Sequence, residues 1–189
     1  LIDDASTDNS TTLLGEQYPL RNNGTNTTSW NSNGYYTITT QSSNGKESMR
    51  EILPLTGLTD DFIIEWDGYS EQSSGTDGLV VYNSSTAWEK LSDNVNTTKQ
   101  FWYGYNNGSF TEILSYLPVT TYQRWVHYKY TLEGTSFTCE ISEISTGEII
   151  YTQTETLHFN RNSNTIYGFN SEWDSNRTTR YKNIIALKL

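Results

Sequence analysis

A chain with one cysteine has no partner for an internal disulfide, and Cys139 is the only cysteine here. The length does not call for a staple either. At 189 residues, roughly 70% of the unfolded surface is buried on folding, which supports a core without cross-links or metal. Cys139 falls on the apolar side of an alternating run, where a free thiol packs as a small hydrophobe. Positive charge is also scarce: 12 Lys plus Arg stand against 22 Asp plus Glu, a formal charge of −10. That argues against nucleic acid or an anionic membrane surface as partner, because both need clustered basic residues. No apolar run approaches the roughly 18 residues of a membrane-spanning helix, so direct membrane insertion is not expected. Helix formers are few, and no stretch holds a helical period for more than one turn. No signal segment is visible. The chain opens Leu1-Ile2-Asp3-Asp4 rather than with Met, and the expectation is a piece of a longer surface protein with other domains.

What the chain has in excess is uncharged polarity and aromatic area. Asn, Ser and Thr account for 67 residues, beside 14 Tyr and 6 Trp. Thr and the aromatics suit strands, whereas Asn, Ser and Gly suit turns. Seven Asn-x-Ser/Thr sequons, at Asn9, Asn23, Asn26, Asn83, Asn96, Asn107 and Asn176, slightly exceed the roughly four or five that such a composition gives by chance. They fit an extracellular or cell-surface protein.

Strand signals are densest between Arg124 and Tyr151. Phe137, Cys139 and Ile141 alternate with Thr138, Glu140 and Ser142, the period-2 pattern of a sheet with one buried face. Glu133-Gly134 and Ser145-Thr146-Gly147 supply the turns. Similar runs are read at Tyr35–Thr40, Met49–Leu53, Phe62–Tyr69, Leu79–Tyr82, Trp88–Leu91, Gln100–Tyr105, Phe110–Leu117, Thr165–Asn170 and Tyr181–Leu189. Residues 1–34 read as turn-rich, with a short edge strand at Leu1-Ile2 and Trp30 anchoring a polar loop. About a dozen short strands without helices predict an all-β, antiparallel two-sheet sandwich, one domain over residues 1–189.

In their order and spacing, five segments resemble the concanavalin A-like lectin/glucanase jelly roll in its laminin G-like and adhesin versions. They are the opening Asp3-Asp4-Ala5-Ser6-Thr7-Asp8-Asn9-Ser10, Asp61-Phe62-Ile63-Ile64-Glu65-Trp66, Gly78-Leu79-Val80-Val81-Tyr82, Arg124-Trp125-Val126-His127-Tyr128 with its hairpin, and Tyr181-Lys182-Asn183-Ile184-Ile185-Ala186-Leu187. The resemblance implies a flat and a curved antiparallel sheet, glycan contacts on a concave face or rim, and a closing strand that pairs back near the N-terminus.

For chemistry, the segment Glu65-Trp66-Asp67-Gly68-Tyr69-Ser70-Glu71 is similar to the paired-carboxylate strand of laminarinase-type glycosidases. A retaining pair needs carboxyl groups about 5 Å apart. Glu65 and Glu71 lie about 20 Å apart along a regular strand, so no catalytic set is expected. Glycoside hydrolysis through Glu65, Asp67 and Glu71 is kept as an alternative. There is no Gly-x-Ser-x-Gly element, and with only His127 and His158 zinc is not expected. Asp3, Asp4 and Asp8 are candidate oxygen ligands for calcium. Sugar rings stack on aromatic faces while amides and carboxylates take the hydroxyls. The candidate ligand-binding residues are therefore Glu65, Asp67, Tyr69, Trp88, Trp102, Tyr103, Tyr105 and Trp173. In Phe101–Tyr105, alternation sends Trp102 to one side and Phe101, Tyr103 and Tyr105 to the other, so only one set can meet a ligand. The leading expectation is a non-catalytic module that binds carbohydrate or another cell-surface ligand. The alternative from another class is a structural or protein-binding domain of a surface or phage tail assembly.

Overall fold

The computed structural model describes residues 2–21, 23–40, 46–72, 76–94, 100–105, 110–172 and 177–189. These form fifteen strands: β1 Ile2–Asp3, β2 Leu14–Arg21, β3 Asn26–Asn31, β4 Tyr35–Thr40, β5 Glu47–Ile52, β6 Phe62–Ser70, β7 Thr76–Ser84, β8 Ala87–Asn94, β9 Gln100–Tyr105, β10 Phe110–Tyr116, β11 Trp125–Glu133, β12 Ser136–Glu143, β13 Ile149–Thr156, β14 Ile166–Glu172 and β15 Thr178–Lys188. One short helix, Ser10–Leu13, and a 3-10 turn at Leu53–Leu55 complete the regular structure.

The strands pair antiparallel into two sheets. The eight-stranded sheet runs β13-β12-β11-β6-β15-β4-β3, with β1 on β15, and the seven-stranded sheet runs β10-β9-β8-β7-β14-β5-β2. This is the antiparallel two-sheet sandwich that the alternation predicts, in the jelly-roll form that the resemblance implies. The closing strand pairs with β1, Ile2 opposite Ile185. It also pairs with β4 and β6, so it lies in the interior of its sheet.

Inward positions from both sheets interdigitate around Trp66. Its ring stacks on Tyr128 and Tyr130 at 5.4 and 5.0 Å and meets Phe169 edge-on at 5.0 Å. Cys139 is a free, fully buried thiol in this core, and burial holds its pKa well above the ordinary thiol value.

The N-terminal third departs from expectation. Residues 14–31 contain two strands, β2 and β3, where the sequence reads as turn and loop. β3 pairs with β4 over its whole length. Its sequence Asn-Thr-Thr-Ser-Trp-Asn carries no aliphatic residue: Trp30 packs against the core at one end, and polar bonds hold the other. The Asn26 amide donates to Ser48 Oγ at 2.9 Å, and Arg50 Nε donates to Asn26 Oδ1 at 2.9 Å. Trp30 is an anchor, as read: its indole N–H donates to the Ala5 carbonyl at 3.0 Å, but it does so from a strand.

Candidate functional site

In β7, β8, β9 and β14, inward positions such as Leu79, Leu91, Phe101 and Phe169 join the main core. The alternate positions point away from it. A sheet face directed outward from a two-layer sandwich normally meets solvent, but here it is enclosed. Val80, Met49, Tyr82, Trp88 and Leu20 form a second apolar cluster there, with Tyr18 and Ile166 packed against it.

A buried ion pair explains the enclosure. Lys90 on β8 bonds Glu47 on β5, and each side chain is only 2% exposed. Two strands, β7 and β14, lie between them. The Lys90 stem also packs over Gly104 on β9, the neighbour on the far side. In a flat sheet, β9 and β5 stand four strand spacings apart, roughly 19 Å. One lysine can touch Gly104 and reach Glu47 only if the sheet curls around this face, which makes the face a trough.

Small residues form the floor of the trough. A Cβ on Gly104 would run into Lys90, and one on Gly168 into Met49 and the Arg50 backbone. Along β8 the trough-facing residues are Trp88, Lys90 and Ser92. Ser92 sits directly opposite Trp102 of β9 and Gly78 of β7, and Trp88 opposite Tyr82. Trp102 and Tyr18 are half-buried at the two sides. The Trp88 indole N–H and the Ser92 hydroxyl are buried and have no hydrogen-bond partner among the described residues. A buried donor without a partner costs about 1–3 kcal/mol.

The sequence-selected residues divide between this trough and other places. Trp88 and Trp102 lie in it. Tyr103 faces the opposite way, into the core, where its hydroxyl donates to buried Glu89 and meets His158 Nδ1 at 2.8 Å. Tyr103 therefore cannot share a ligand with Trp102. Tyr105 closes β9, and its side chain lies outside the described residues, as does all of Trp173.

Glu65, Asp67 and Tyr69 point outward from β6, on the other sheet. Asp67 Oδ1 meets His127 Nδ1 at 2.9 Å, and the Asn183 amide donates to Asp67 Oδ2 at 2.6 Å. His127 Nε2 lies 3.5 Å from Glu65. The hydrogen bond to Asp67, then the charges of Asp67 and Glu65, raise the His127 pKa. Sequence reasoning found no partner for His127; the cross-strand register His127↔Asp67 supplies one. The Tyr69 ring packs on Trp125 at 5.4 Å, with the Arg180 guanidinium 5.1 Å over its face. Glu71, past the strand end, holds Arg180. β6 keeps unbroken register with β11 from Phe62 to Tyr69, so Gly68 introduces no bend that would bring Glu71 toward Glu65.

The N-terminal acids are used locally. Asp3 accepts from the Ala5 N–H at 2.8 Å and from the Tyr36 hydroxyl, Asp4 from the Ser6 N–H at 2.9 Å, and Asp8 from the Ser10 N–H at 3.0 Å. These are the Asx bonds of turns. No three His, Cys, Asp or Glu side chains converge to hold a metal ion among the described residues. Asp3, Asp4 and Asp8, the candidate calcium ligands, are each engaged in their own turn.

A further polar cluster, missed in the sequence, lies between the sheets. Asp77 and Asp93 are cross-strand partners on β7 and β8 and both face inward. Arg177 reaches Asp77 at 2.9 Å, and Thr179 donates to it at 2.9 Å. Asp93 Oδ2 accepts from Thr121 and from the Tyr128 hydroxyl at 2.8 Å. Burial, followed by the nearby Asp77 charge, pushes the Asp93 pKa up to about 7.

No protein-family model matches the chain, and no curated protein matches it in sequence. Solved structures do match in fold. The exoplasmic/lumenal domain of VIP36 in its metal-free form aligns with a TM-score of 0.66 at 11% identity, over 100% of this chain and 91% of that one. The same domain has been solved in a Ca2+/Man-bound form. The carbohydrate binding module CBM66 from Bacillus subtilis aligns with a TM-score of 0.57 at 13% identity, over 92% of this chain and 96% of that one. The GH43 protein BlXynB from Bacillus licheniformis aligns with a TM-score of 0.56 at 10% identity, over 82% of this chain but 33% of that one. Likeness at these identities establishes the fold.

Proposed function

We propose that the domain is a non-catalytic carbohydrate-binding module and that its ligand occupies the trough of the seven-stranded sheet. The observation that carries this reading is an outward-facing, curled sheet surface with a glycine floor, walled by the half-buried aromatic rings of Trp102 and Tyr18. A sugar offers C–H faces that lie on such rings and hydroxyls that bond neighbouring polar groups. The Lys90–Glu47 pair is internally neutralised, so the floor suits an uncharged polyhydroxylated ligand. The carbohydrate binding module CBM66 and the VIP36 domain, the latter solved in a Ca2+/Man-bound form, share the fold, and this adds support. An extracellular or cell-surface setting, adhesin-like and within a longer protein, fits the same reading.

The hydrolase alternative finds less support. Glu65 and Asp67 are engaged with their cross-strand neighbour His127 in the eight-stranded sheet, and the regular β6 strand leaves Glu71 about 20 Å from Glu65.

The test is titration calorimetry of the purified domain against a panel of soluble polysaccharides and oligosaccharides, with calcium and with chelator. At least one glycan is expected to bind. Trp102→Ala is expected to weaken it by about 2 kcal/mol, some thirtyfold in Kd, while Glu65→Gln leaves it unchanged. Absence of binding across the panel defeats the reading, and full affinity in Trp102→Ala moves the site out of the trough.

A further inference from the structure

Every open sheet has two edges, and an edge strand presents a row of unpaired N–H and C=O groups that recruits another strand unless it is protected. The seven-stranded sheet protects its edges. β2 carries Pro19 and two breaks in register, and β10 is irregular between Ile113 and Ser115. At one edge of the eight-stranded sheet, β3 is six residues long. The other edge, β13, is different. It spans Ile149–Thr156, with the sequence Ile-Ile-Tyr-Thr-Gln-Thr-Glu-Thr. It holds no proline and no lysine, and Glu155 is its one charge. After the irregularity near Ile150, its register with β12 is unbroken from Tyr151 to Thr156. No strand pairs with its outer side among the described residues.

Exposed apolar side chains flank this edge. Ile149 is 56% exposed, and Ile144, in the turn that leads into β13, is 44% exposed. The Tyr151 ring of β13 packs on Phe101 of β9 at 4.8 Å, which brings this edge beside the end of β10, where Tyr116 is 70% exposed. A strand with good β formers, minimal charge and an apolar border matches what a paired strand presents.

We propose that β13 pairs antiparallel with β13 of a second copy of this chain, about a two-fold axis at Gln153, joining the two eight-stranded sheets edge to edge. The occupant is a second copy because the sequence is self-complementary in this register. Thr152 meets Thr154 on the solvent face, the kind of hydroxyl pair already seen where Thr138 meets Thr154 at 2.8 Å within the sheet. Glu155 meets Tyr151, so the one carboxylate never faces its own copy. An isologous two-fold contact of this kind closes at two subunits and does not propagate. Opposing it is the net charge of −10 on each chain, which salt screens. Association therefore tightens as salt rises.

Sedimentation over a wide concentration range, at low and high salt, measures the contact. The wild-type domain is expected to move from monomer to dimer with concentration, at lower concentration in high salt, while amide exchange at residues 150–156 slows as the dimer forms. Thr152→Asp with Thr154→Asp places like charges opposite each other twice and is expected to weaken the dimer tenfold or more. Thr152→Lys with Thr154→Lys does the same locally while lowering the net negative charge. Both side chains are exposed, and circular dichroism confirms that the variants are folded. Three outcomes overturn the proposal: a wild-type domain that stays monomeric throughout, even if a strand of another protein binds β13; a lysine variant that associates as tightly as wild type; or unchanged exchange at 150–156 in the dimer.

Discussion

At the scale of single residues, the strongest consequence comes from Asp93. Its pKa of about 7 in the folded protein lies above the ordinary value of about 3.9 for an unfolded chain. Between those two values the native state holds a proton that the unfolded state has lost, so stability falls as pH rises. The effect is fully present below about pH 4 and is lost as pH passes 7. Its size is of the order of 4 kcal/mol. His127 has the same sign, because its raised pKa adds stability below about pH 6.5 that disappears as pH rises through the folded value. Thermal unfolding followed from pH 5 to pH 8 is thus expected to show a falling Tm. Asp93→Asn should flatten most of that slope, and a wild-type Tm that rises over the same range contradicts the assignment. None of this was legible in the sequence, where Asp77 and Asp93 stand in different strands with nothing to mark their register. Side-chain direction was partly legible. Alternation separated Trp102 from Phe101 and Tyr103, but which set met the core depended on the partner sheet.

At the scale of elements, the clearest strands were those with β-branched or aromatic residues between turn signals. Tyr35–Thr40 and Gln100–Tyr105 have the boundaries read from the sequence. β3 was not legible because its buried end is held by hydrogen bonds of Asn26 with Ser48 and Arg50 rather than by aliphatic packing; β2 buries Leu14 and Leu20, but Pro19 and two breaks in register interrupt the pattern. The trough was illegible for a different reason. Lys90 and Glu47 read as ordinary strand charges, and only the curvature of a sheet whose strand order departs from chain order brings them together. Their pairing carries its own test. Glu47→Gln leaves a buried ammonium without its carboxylate and is expected to cost about 3–5 kcal/mol in urea unfolding. Lys90→Met combined with Glu47→Leu removes both charges and should recover most of that loss. If the double variant is no more stable than Glu47→Gln, the pair is held by something other than mutual compensation.

At the scale of the whole molecule, two-sheet architecture followed from strand number and alternation, and the return of the last strand to the first was borne out by Ile2↔Ile185. β15 fills an interior slot between β6 and β4. A chain ending at Arg177 should therefore leave both strands with an open side and show no cooperative unfolding transition by circular dichroism. A cooperative transition in that truncated chain would mean that the remaining strands form a core without it. This placement also bears on how the protein is made. On the ribosome, β6 emerges long before β15, and Phe62 must wait for Lys188. For most of translation the eight-stranded sheet has a gap at its centre, and the aromatic rows of both strands beside it are uncovered. Until β15 has left the ribosome, β4 and β6 each keep an open side, and slow translation of that strand prolongs the exposure.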